Sequence, residues 1–352
     1  MDITNSIIGL NHDTLRSYVQ ERGFPEFHGN QVFKWVYGRR VDAFDLMTDL
    51  PKQLRMQLKR DFTLAYYNPS QTLQSRKKDT VKYFYPLGDD TGIETVVLKD
   101  KDHRTTFCIS CQIGCPVGCI YCATGSAGFI RNMETGEIVT QVLSLMKEHG
   151  EPDSILFMGM GEPLLNLEEV EGAIALFHEM DFSPRRITVS TCGIIRGIHH
   201  LASSGLKPRL AVSLGSALES KRRKLIPFAR GNSLDQLRKA LLFYREKTKR
   251  RISIEYTLLG GLNDTDDDAR ALASFARATR SHINLIRYNP MPHTSRYRGI
   301  KGDIQKRILP PQTAIVQNFR QLLVDRNVQV TERYRRGSDI NAACGQLLFK
   351  RT

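Results

Sequence analysis

Cys115-Pro116-Val117-Gly118-Cys119-Ile120-Tyr121-Cys122 places three thiols within one turn-sized loop, and its reading decides the fold. Iron–sulfur clusters are held by cysteine thiolates, and a cubane cluster normally takes four. A CxxxCxxC loop supplies three ligands and leaves one iron open to bind and activate something else. Zinc is the competing reading, because Cys108-Ile109-Ser110-Cys111 and Cys119-Ile120-Tyr121-Cys122 form two CxxC pairs. Zinc ribbons usually separate such pairs by roughly a dozen residues or more, so that two knuckles fold around one tetrahedral ion. Here only the seven residues from Gln112 to Gly118 intervene, and Cys115 sits among them. A disulfide framework fits less well still. Five of the seven cysteines crowd into positions 108–122, too close together to staple distant parts of a chain, and cytosolic thiols stay reduced.

The surrounding chain has room for a large core. Its 352 residues exceed one ordinary domain but suit a barrel with appended pieces. Hydrophobic residues make up 41% and charged residues 25%, the balance of a globular protein. The start, Met1-Asp2-Ile3-Thr4-Asn5, lacks the basic region and apolar run of a signal peptide, and no apolar run approaches membrane-spanning length. A cytoplasmic protein with no membrane partner is expected. Lys and Arg number 51 against 37 Asp and Glu, leaving a formal charge of +14. The excess lies in short clusters: Arg76-Lys77-Lys78, Lys221-Arg222-Arg223-Lys224, Lys247 to Arg251, and Arg335-Arg336. Such clusters suit a surface that neutralises phosphates, although a merely basic surface is the plainer alternative.

Periodicity organises the rest. Thr14 to Arg22, Gly29 to Tyr37 and Pro51 to Arg60 read as short helices, the last with proline in its first turn. Val32, Phe33, Val36 and Tyr37 fall at helical spacing and are predicted core, near Trp35 and the basic Lys34, Arg39 and Arg40. Two strands follow, Val81–Leu87 and Ile93–Leu98, around the turn residues Gly88-Asp89-Asp90-Thr91-Gly92. From about Thr105 strand alternates with helix. Predicted strands are Thr106–Ser110, Ser154–Met158, Arg186–Ser190, Arg209–Ser213, Ile252–Thr257 and Ile283–Arg287. Helices are expected over Thr135–His149, Asn166–Met180 and Leu234–Glu246. In the first, Ile138, Val142, Leu145 and Met146 share one face. Alternating βα units imply a parallel sheet with helices outside it. Chemistry in such barrels sits at the C-terminal ends of the strands.

The motifs fall there. The cysteine loop follows strand one, and Gly159-Met160-Gly161-Glu162-Pro163 follows strand two. Two glycines let a backbone approach a ligand closely, and the glutamate could accept from an ammonium group; a glycine-rich turn is the bland alternative. Ser190-Thr191-Cys192-Gly193, Ser213-Leu214-Gly215 and Asn289-Pro290 end strands three, four and six. Their small or amide side chains suit a ribose or a carboxylate, or ordinary loop chemistry. Late in the chain Gly337-Ser338-Asp339-Ile340-Asn341-Ala342-Ala343-Cys344-Gly345-Gln346-Leu347 carries a cysteine among small residues. By itself Cys344 reads as either a flexible exposed thiol or a buried structural one.

The cysteine spacing resembles that of radical S-adenosylmethionine (SAM) enzymes, whose open barrel six βα units would fit. The joined motifs carry the resemblance further. Tyr121-Cys122-Ala123-Thr124-Gly125, Gly159 to Asn166, Ser190-Thr191 and Ala342 to Leu347 are together similar to the RlmN/Cfr family of RNA methyltransferases, from about Gln31 to the C-terminus. The implied fold is α/β, a partial (β/α)6 radical SAM barrel with a small N-terminal helical accessory domain and a hairpin linker. Its expected divisions are an RNA-binding module at 1–75, the linker at 76–100, the core barrel at 101–335, and a tail at 336–352 carrying Cys344.

The resemblance implies a role for each residue. Cys115, Cys119 and Cys122 hold one 4Fe-4S cluster. Gly161, Glu162, Ser190, Ser213, Leu214, Gly215 and Asn289 bind SAM. Cys344 accepts a methyl from one SAM as a thiolate. A second SAM, cleaved at the cluster, yields the radical that takes hydrogen from that methyl, and the carbon then joins adenine. Glu94, in Ile93-Glu94-Thr95-Val96, removes the proton from the methylated carbon. Cys108 attacks the Cys344 sulfur and frees the product with a transient disulfide. The implied substrate is adenosine in 23S rRNA, possibly also tRNA, methylated at C2 as in RlmN or at C8 as in Cfr. A reduced flavodoxin-type donor and a monomeric enzyme are expected. The alternative from another class is a zinc-binding RNA-binding protein without catalysis. Two departures stand out: Cys111 replaces a family serine, and Gly215 replaces a histidine that contacts SAM. The stretch Tyr297–Pro311 reads as a longer, basic insertion available to RNA.

Overall fold

A computed structural model describes residues 5–87, 91–291 and 308–348. The hairpin tip at 88–90 and positions 297–307 of the basic insertion lie outside these residues. The chain begins with three helices, α1 (His12–Glu21), α2 (Phe27–Phe33, continuing as a π-helical turn over Lys34–Arg39) and α3 (Lys52–Asp61). The Asn11 side chain caps α1 by accepting the Thr14 N–H at 2.8 Å, and Pro51 stands just before α3. Val32, Phe33, Val36 and Tyr37 are buried as their spacing predicts, and Trp35 is buried with them. Its indole N–H donates to Asp49 at 2.5 Å.

One sheet of ten strands holds the remainder together. Its flank is antiparallel: β1 (Gln71–Gln74), β2 (Thr80–Pro86), β3 (Gly92–Lys99) and β4 (Thr105–Cys108) pair in that order. The hairpin is thus an extension of the barrel sheet. After β4 the chain leaves the sheet for a ribbon, β5 (Gln112–Gly114) and β6 (Phe129–Asn132), with the short helix α4 (Ala123–Ala127) between them. It then enters α5 (Thr135–His149).

From there strands and helices alternate: β7 (Ser154–Phe157), α6 (Leu167–Glu179), β8 (Ile187–Thr191), α7 (Ile195–Ser203), β9 (Arg209–Ser213), α8 (Glu219–Leu225), α9 (Leu234–Thr248), β10 (Ile252–Leu258), α10 (Asp266–Thr279) and β11 (His282–Arg287). A last helix, α11 (Thr313–Val324), precedes β12 (Val330–Glu332). Strands β4, β7, β8, β9, β10, β11 and β12 are parallel neighbours in that order. The six predicted strands are present within two residues of their expected ends. Short β12 adds a seventh parallel strand. Among the described residues the edge strands β1 and β12 do not pair, so the sheet stays open.

Local chemistry sets the helix starts. Ser233 and Gln236 form a capping box on α9, and Thr265 and Asp268 form one on α10. Strand alternation sets the core. Val81, Tyr83, Val97, Phe107, Ile155, Val189, Leu210, Val212, Ile254 and Leu285 point to the helix-covered face and are buried. Their neighbours point to the opposite face. Register partners share a face, so Phe84 opposite Glu94, Val96 opposite Cys108, Ser213 opposite Glu255 and Glu255 opposite Asn284 put a polar set inside the barrel. The N-terminal helices dock outside, where His12 N–H donates to Glu179 and Tyr67 N–H to Ser144 Oγ, both at 2.9 Å.

Candidate active site

The ribbon β5–β6 carries the cysteine loop. Cys115 N–H donates to Gly128 O at 2.7 Å, closing the base of the loop across the ribbon. Cys115, Cys119 and Cys122 are free, half-buried thiols that line one cavity with Gly161, Glu162, Ser190, Ser213 and Cys344. Burial is the main force pushing all three thiols to higher pKa, and their mutual repulsion adds to it for Cys115 and Cys119. Three thiolates so placed need positive charge among them, which an iron–sulfur cluster supplies. Among the described residues no three Cys, His, Asp or Glu side chains gather to hold a single metal ion. A cluster spreads its thiolates over separate irons, so this loop fits one better than it fits a lone zinc.

Backbone contact fixes the glycine motif against that loop. Gly159 N–H donates to Ile109 O at 3.0 Å, Met160 N–H to Ser110 Oγ at 2.9 Å, and Cys111 N–H back to Met160 O at 2.9 Å. A Cβ at Gly159 would lie 2.5 Å from Ile109 O. Gly161, at φ +104°, would bring one to 2.9 Å from Cys111 Sγ. Cys111 is accordingly a buried packing residue beneath the motif, with its Sγ 3.7 Å from Met160 O. Glu162 is buried, and burial raises its pKa. Its carboxylate accepts Leu164 N–H at 3.1 Å and Cys192 N–H at 2.7 Å, tying this loop to the end of β8.

Ser190 and Ser213 line the cavity from the ends of β8 and β9. Leu214 and Gly215 do not line it. Leu214 is wholly buried, and Gly215 takes φ +71° with Ile226 filling the space beside it. A Cβ there would meet Ile226 Cδ1 at 2.9 Å, so the protein is packed around glycine at this position. Asn289 borders a second cavity that also contains Cys344. Its Oδ1 accepts Arg335 Nε–H at 3.0 Å.

The tail is anchored at both ends. Lys82 and Glu94 are diagonal neighbours on β2 and β3 and form a buried ion pair at 2.9 Å. Lys82 Nζ also donates to Asn341 O at 3.1 Å, while Glu94 Oε2 accepts Leu348 N–H at 2.9 Å. Between these points Ala123 N–H donates to Gly345 O at 2.7 Å, Thr124 Oγ1 to Leu347 O at 2.6 Å, and Gln346 Nε2 to Pro290 O at 2.8 Å. Cys344 stands exposed in the middle. Glu94 is 3% exposed and lies beneath this tail, lining neither of the cavities that contain Cys344. Cys108 is buried on the adjoining strand, and burial with the nearby Cys344 thiol pushes it up to about 12. Arg333 stands beside both sulfurs, its Nη1 4.0 Å from Cys344 Sγ and 3.6 Å from Glu255 Oε2.

Sequence reasoning missed Lys82, Arg222, Glu255 and Arg333. The basic cluster at 221–224 does not face one way as a single exposed patch. Arg222 is wholly buried, donating to Leu214 O at 2.7 Å and Cys192 O at 2.8 Å, and so it braces the ends of β9 and β8. Lys221 pairs with buried Asp268 and Arg223 with Glu219. Arg250 and Arg251, with Lys249, ring a cavity of about 770 Å3 at the opposite, N-terminal end of the strands, which no cysteine lines. Only the clusters at 76–78 and 335–336 come to the Cys344 side, joined through Lys77 and Tyr334.

Comparison with known proteins agrees with this geometry. Residues 5–64 match the family described as ribosomal RNA large subunit methyltransferase N-terminal domain, and residues 109–276 match the radical SAM superfamily. The chain is 38% identical over 350 residues to a probable dual-specificity RNA methyltransferase RlmN of Thermotoga neapolitana, covering 98% of each. A namesake from Staphylococcus aureus is 37% identical, with 98% of this chain and 93% of that one covered. The crystal structure of a radical SAM methyltransferase from Sphaerobacter thermophilus superposes with a TM-score of 0.88 at 37% identity, covering 97% of this chain and 99% of that one.

Two substitutions test the packing. Gly215→His forces a left-handed backbone on a Cβ residue and presses on Ile226, so thermal denaturation should show a loss of about 1–3 kcal/mol. An unchanged midpoint would mean that Ile226 gives way freely. Lys82→Met strands the Glu94 carboxylate and should cost about 3–5 kcal/mol, most of it recovered in the Lys82→Met, Glu94→Gln double variant. Equal midpoints for wild type and Lys82→Met would remove the ion pair from the account.

Proposed function

Because the chain belongs to the RlmN family of radical SAM RNA methyltransferases, we propose that it methylates C2 of adenosine in ribosomal RNA, and in transfer RNA as well, by way of a methyl group carried on Cys344. The observation that carries the proposal is the placement of one exposed thiol, Cys344, in the wall of the cavity lined by Cys115, Cys119 and Cys122. The name RlmN among the relatives favours C2 over C8, and their dual specificity favours two classes of RNA.

Cys115, Cys119 and Cys122 would hold the 4Fe-4S cluster, with Gly161, Glu162, Ser190, Ser213 and Asn289 around SAM. When bound, the two supply the 5′-deoxyadenosyl radical, with a reduced flavodoxin-type protein as electron source. The protein's own residues do the rest. Cys344 sulfur takes a methyl cation from SAM, forming a sulfur–carbon bond as S-adenosylhomocysteine leaves. Arg333 faces that sulfur and offers positive charge to its thiolate. Once the methyl-derived carbon is bonded to adenine, the adduct must lose its unpaired electron, returned to the cluster when that is bound, and a base must remove the ring proton. Glu94 is held as the partner of Lys82, and it reaches the substrate only if the segment 341–348 lifts from it. Cys108 then attacks Cys344 sulfur, the sulfur–carbon bond breaks, and the electron pair left on carbon takes a proton to complete the methyl group. Both thiols stand beside Arg333, so the attack starts from a shared cationic neighbourhood.

The direct test is mass spectrometry of adenosines from RNA incubated with anaerobically reconstituted protein, SAM and a reductant. Wild type should yield C2-methyladenosine and Cys344→Ala none. C8-methyladenosine would assign the other carbon, and product from Cys344→Ala would remove the methyl carrier. In the same assay Glu94→Gln should lose about 100-fold or more in product, the scale of a general base. A wild-type rate would reassign that role.

Burial also gives the Cys108 thiol a distinct response to pH. With Cys108 pushed up to about 12, only about one molecule in ten thousand carries its thiolate at pH 8. Iodoacetamide should therefore label Cys344 long before Cys108, with Cys108 labelling rising steeply up to pH 11. Peptide mass spectrometry reads both rates. The raised value also means that folding stability from the neutral Cys108 thiol is full below the ordinary thiol range and declines as pH climbs towards 12.

A further inference from the structure

We infer that Tyr334, with Lys77 and Arg336 beside it, is the seat for a nucleotide flanking the target adenosine, its base stacked on the tyrosine ring and its phosphate among the cations. The inference rests on the reading of the protein as an RNA methyltransferase and names a surface of that same site. Tyr334 is 53% exposed, unusual for an aromatic side chain placed one residue from Arg333, which touches the reacting sulfur. Tyr334, Arg335 and Arg336 line, together with Cys344, a cavity of about 230 Å3.

The ring is held but not covered. Lys77 Nζ lies 2.5 Å from the Tyr334 hydroxyl and 5.0 Å from the ring centre. Those two distances put the ammonium beyond the phenol oxygen, not over a face. Arg336 Cζ stands 5.7 Å from the ring centre. Where this protein does stack arginine on an aromatic ring, the distance is 3.6 Å for Arg22 on Tyr18 and 3.8 Å for Arg39 on Trp35. A flat ring half open to water, with cations at its edge, is what single-stranded nucleic acid uses as a stacking platform.

Charge points the same way. Arg76, Lys77, Lys78, Arg335 and Arg336 come from basic clusters more than 250 residues apart, joined here by the Lys77–Tyr334 contact. Among the described residues none of the five has a carboxylate ion-pair partner. Two acids lie within electrostatic reach of Lys77 without forming an ion pair with it: Asp79 accepts from Ser75 Oγ and Thr80 Oγ1, and Asp339 accepts the Arg76 N–H at 2.9 Å. Lys77 is held by Tyr334 and Arg335 by Asn289, but cations without a paired carboxylate around an exposed ring beside the reacting sulfur favour a polyanion that carries bases.

The experiment uses full-length, anaerobically reconstituted protein and an unmodified transcript of the ribosomal RNA segment that wild type methylates. It measures Kd at several salt concentrations and, alongside, methyl loading of Cys344 from SAM as a check on the site. Tyr334→Ala should weaken RNA binding by about tenfold or more, the worth of one stacked base, while Tyr334→Phe keeps most of the affinity. Lys77→Ala and Arg336→Ala should each lower the salt slope by about one. Wild-type affinity in Tyr334→Ala would overturn the inference, as would Tyr334→Phe binding as weakly as Tyr334→Ala. If Tyr334→Ala fails to load Cys344, the salt slopes of the two cation variants decide, and unchanged slopes overturn it. A wild-type protein that neither binds nor methylates the transcript would instead defeat the parent reading. Binding of an acidic protein in place of RNA at this patch would also count against it.

Discussion

The buried pair of Lys82 and Glu94 is the interaction on which the catalytic arrangement depends. Two charges taken from water are costly unless matched, and removing one partner leaves the other uncompensated. Their alignment follows from the hairpin register, which places Phe84 opposite Glu94 and so sets Lys82 diagonally beside it on the barrel face. Each member has hydrogen-bonding capacity left over, and both spend it on the tail. The ammonium takes the Asn341 carbonyl, and the carboxylate takes the Leu348 amide. Cys344 lies between those anchors, so an electrostatic requirement of the hairpin becomes the positioning of a thiol. The same contact covers Glu94, and the base role proposed for it would couple proton removal to movement of the segment that holds Cys344.

Opposite the tail, close backbone packing does the equivalent job for the cysteine loop. Gly159 and Gly161 let the loop after β7 lie against Ile109 to Gln112 without intervening side chains. Glu162 and Arg222 then bind that layer to the ends of β8 and β9, each satisfying backbone groups across a gap between elements. The helix-covered face of every strand supplies the apolar core, which leaves the inner face free to carry Ser190, Ser213, Glu255 and Arg333.

Much of this was legible in the sequence where the signal is local. The alternation of strand with helix located the six strands, and the spacing of Cys115, Cys119 and Cys122 sits within eight residues. Turn chemistry located the hairpin. Short elements escaped, because a three-residue strand such as β5 has too few side chains to show a period. Contacts that depend on register or long-range folding escaped as well. Nothing in Val81-Lys82-Tyr83 announces a partner at Glu94, and a run of Lys and Arg gives no hint that Arg222 is buried while Lys224 is not. Glu94 and Cys344 were found through family likeness, since one acid on a strand and one thiol in a tail look ordinary by themselves. Gly215 was read as a lost contact. Its left-handed φ and the isoleucine packed beside it show surroundings that fit glycine.

The central claim is that Cys344, and no other cysteine, carries the transferred methyl. Incubating the reconstituted protein with SAM bearing a deuterated methyl group, without RNA, and mapping its peptides by mass spectrometry tests this most directly. The account predicts one labelled methyl on the peptide containing Cys344, with the other six cysteines unlabelled. Label on Cys108, Cys111 or Cys192, or an unlabelled Cys344 in protein that goes on to methylate RNA, would contradict it.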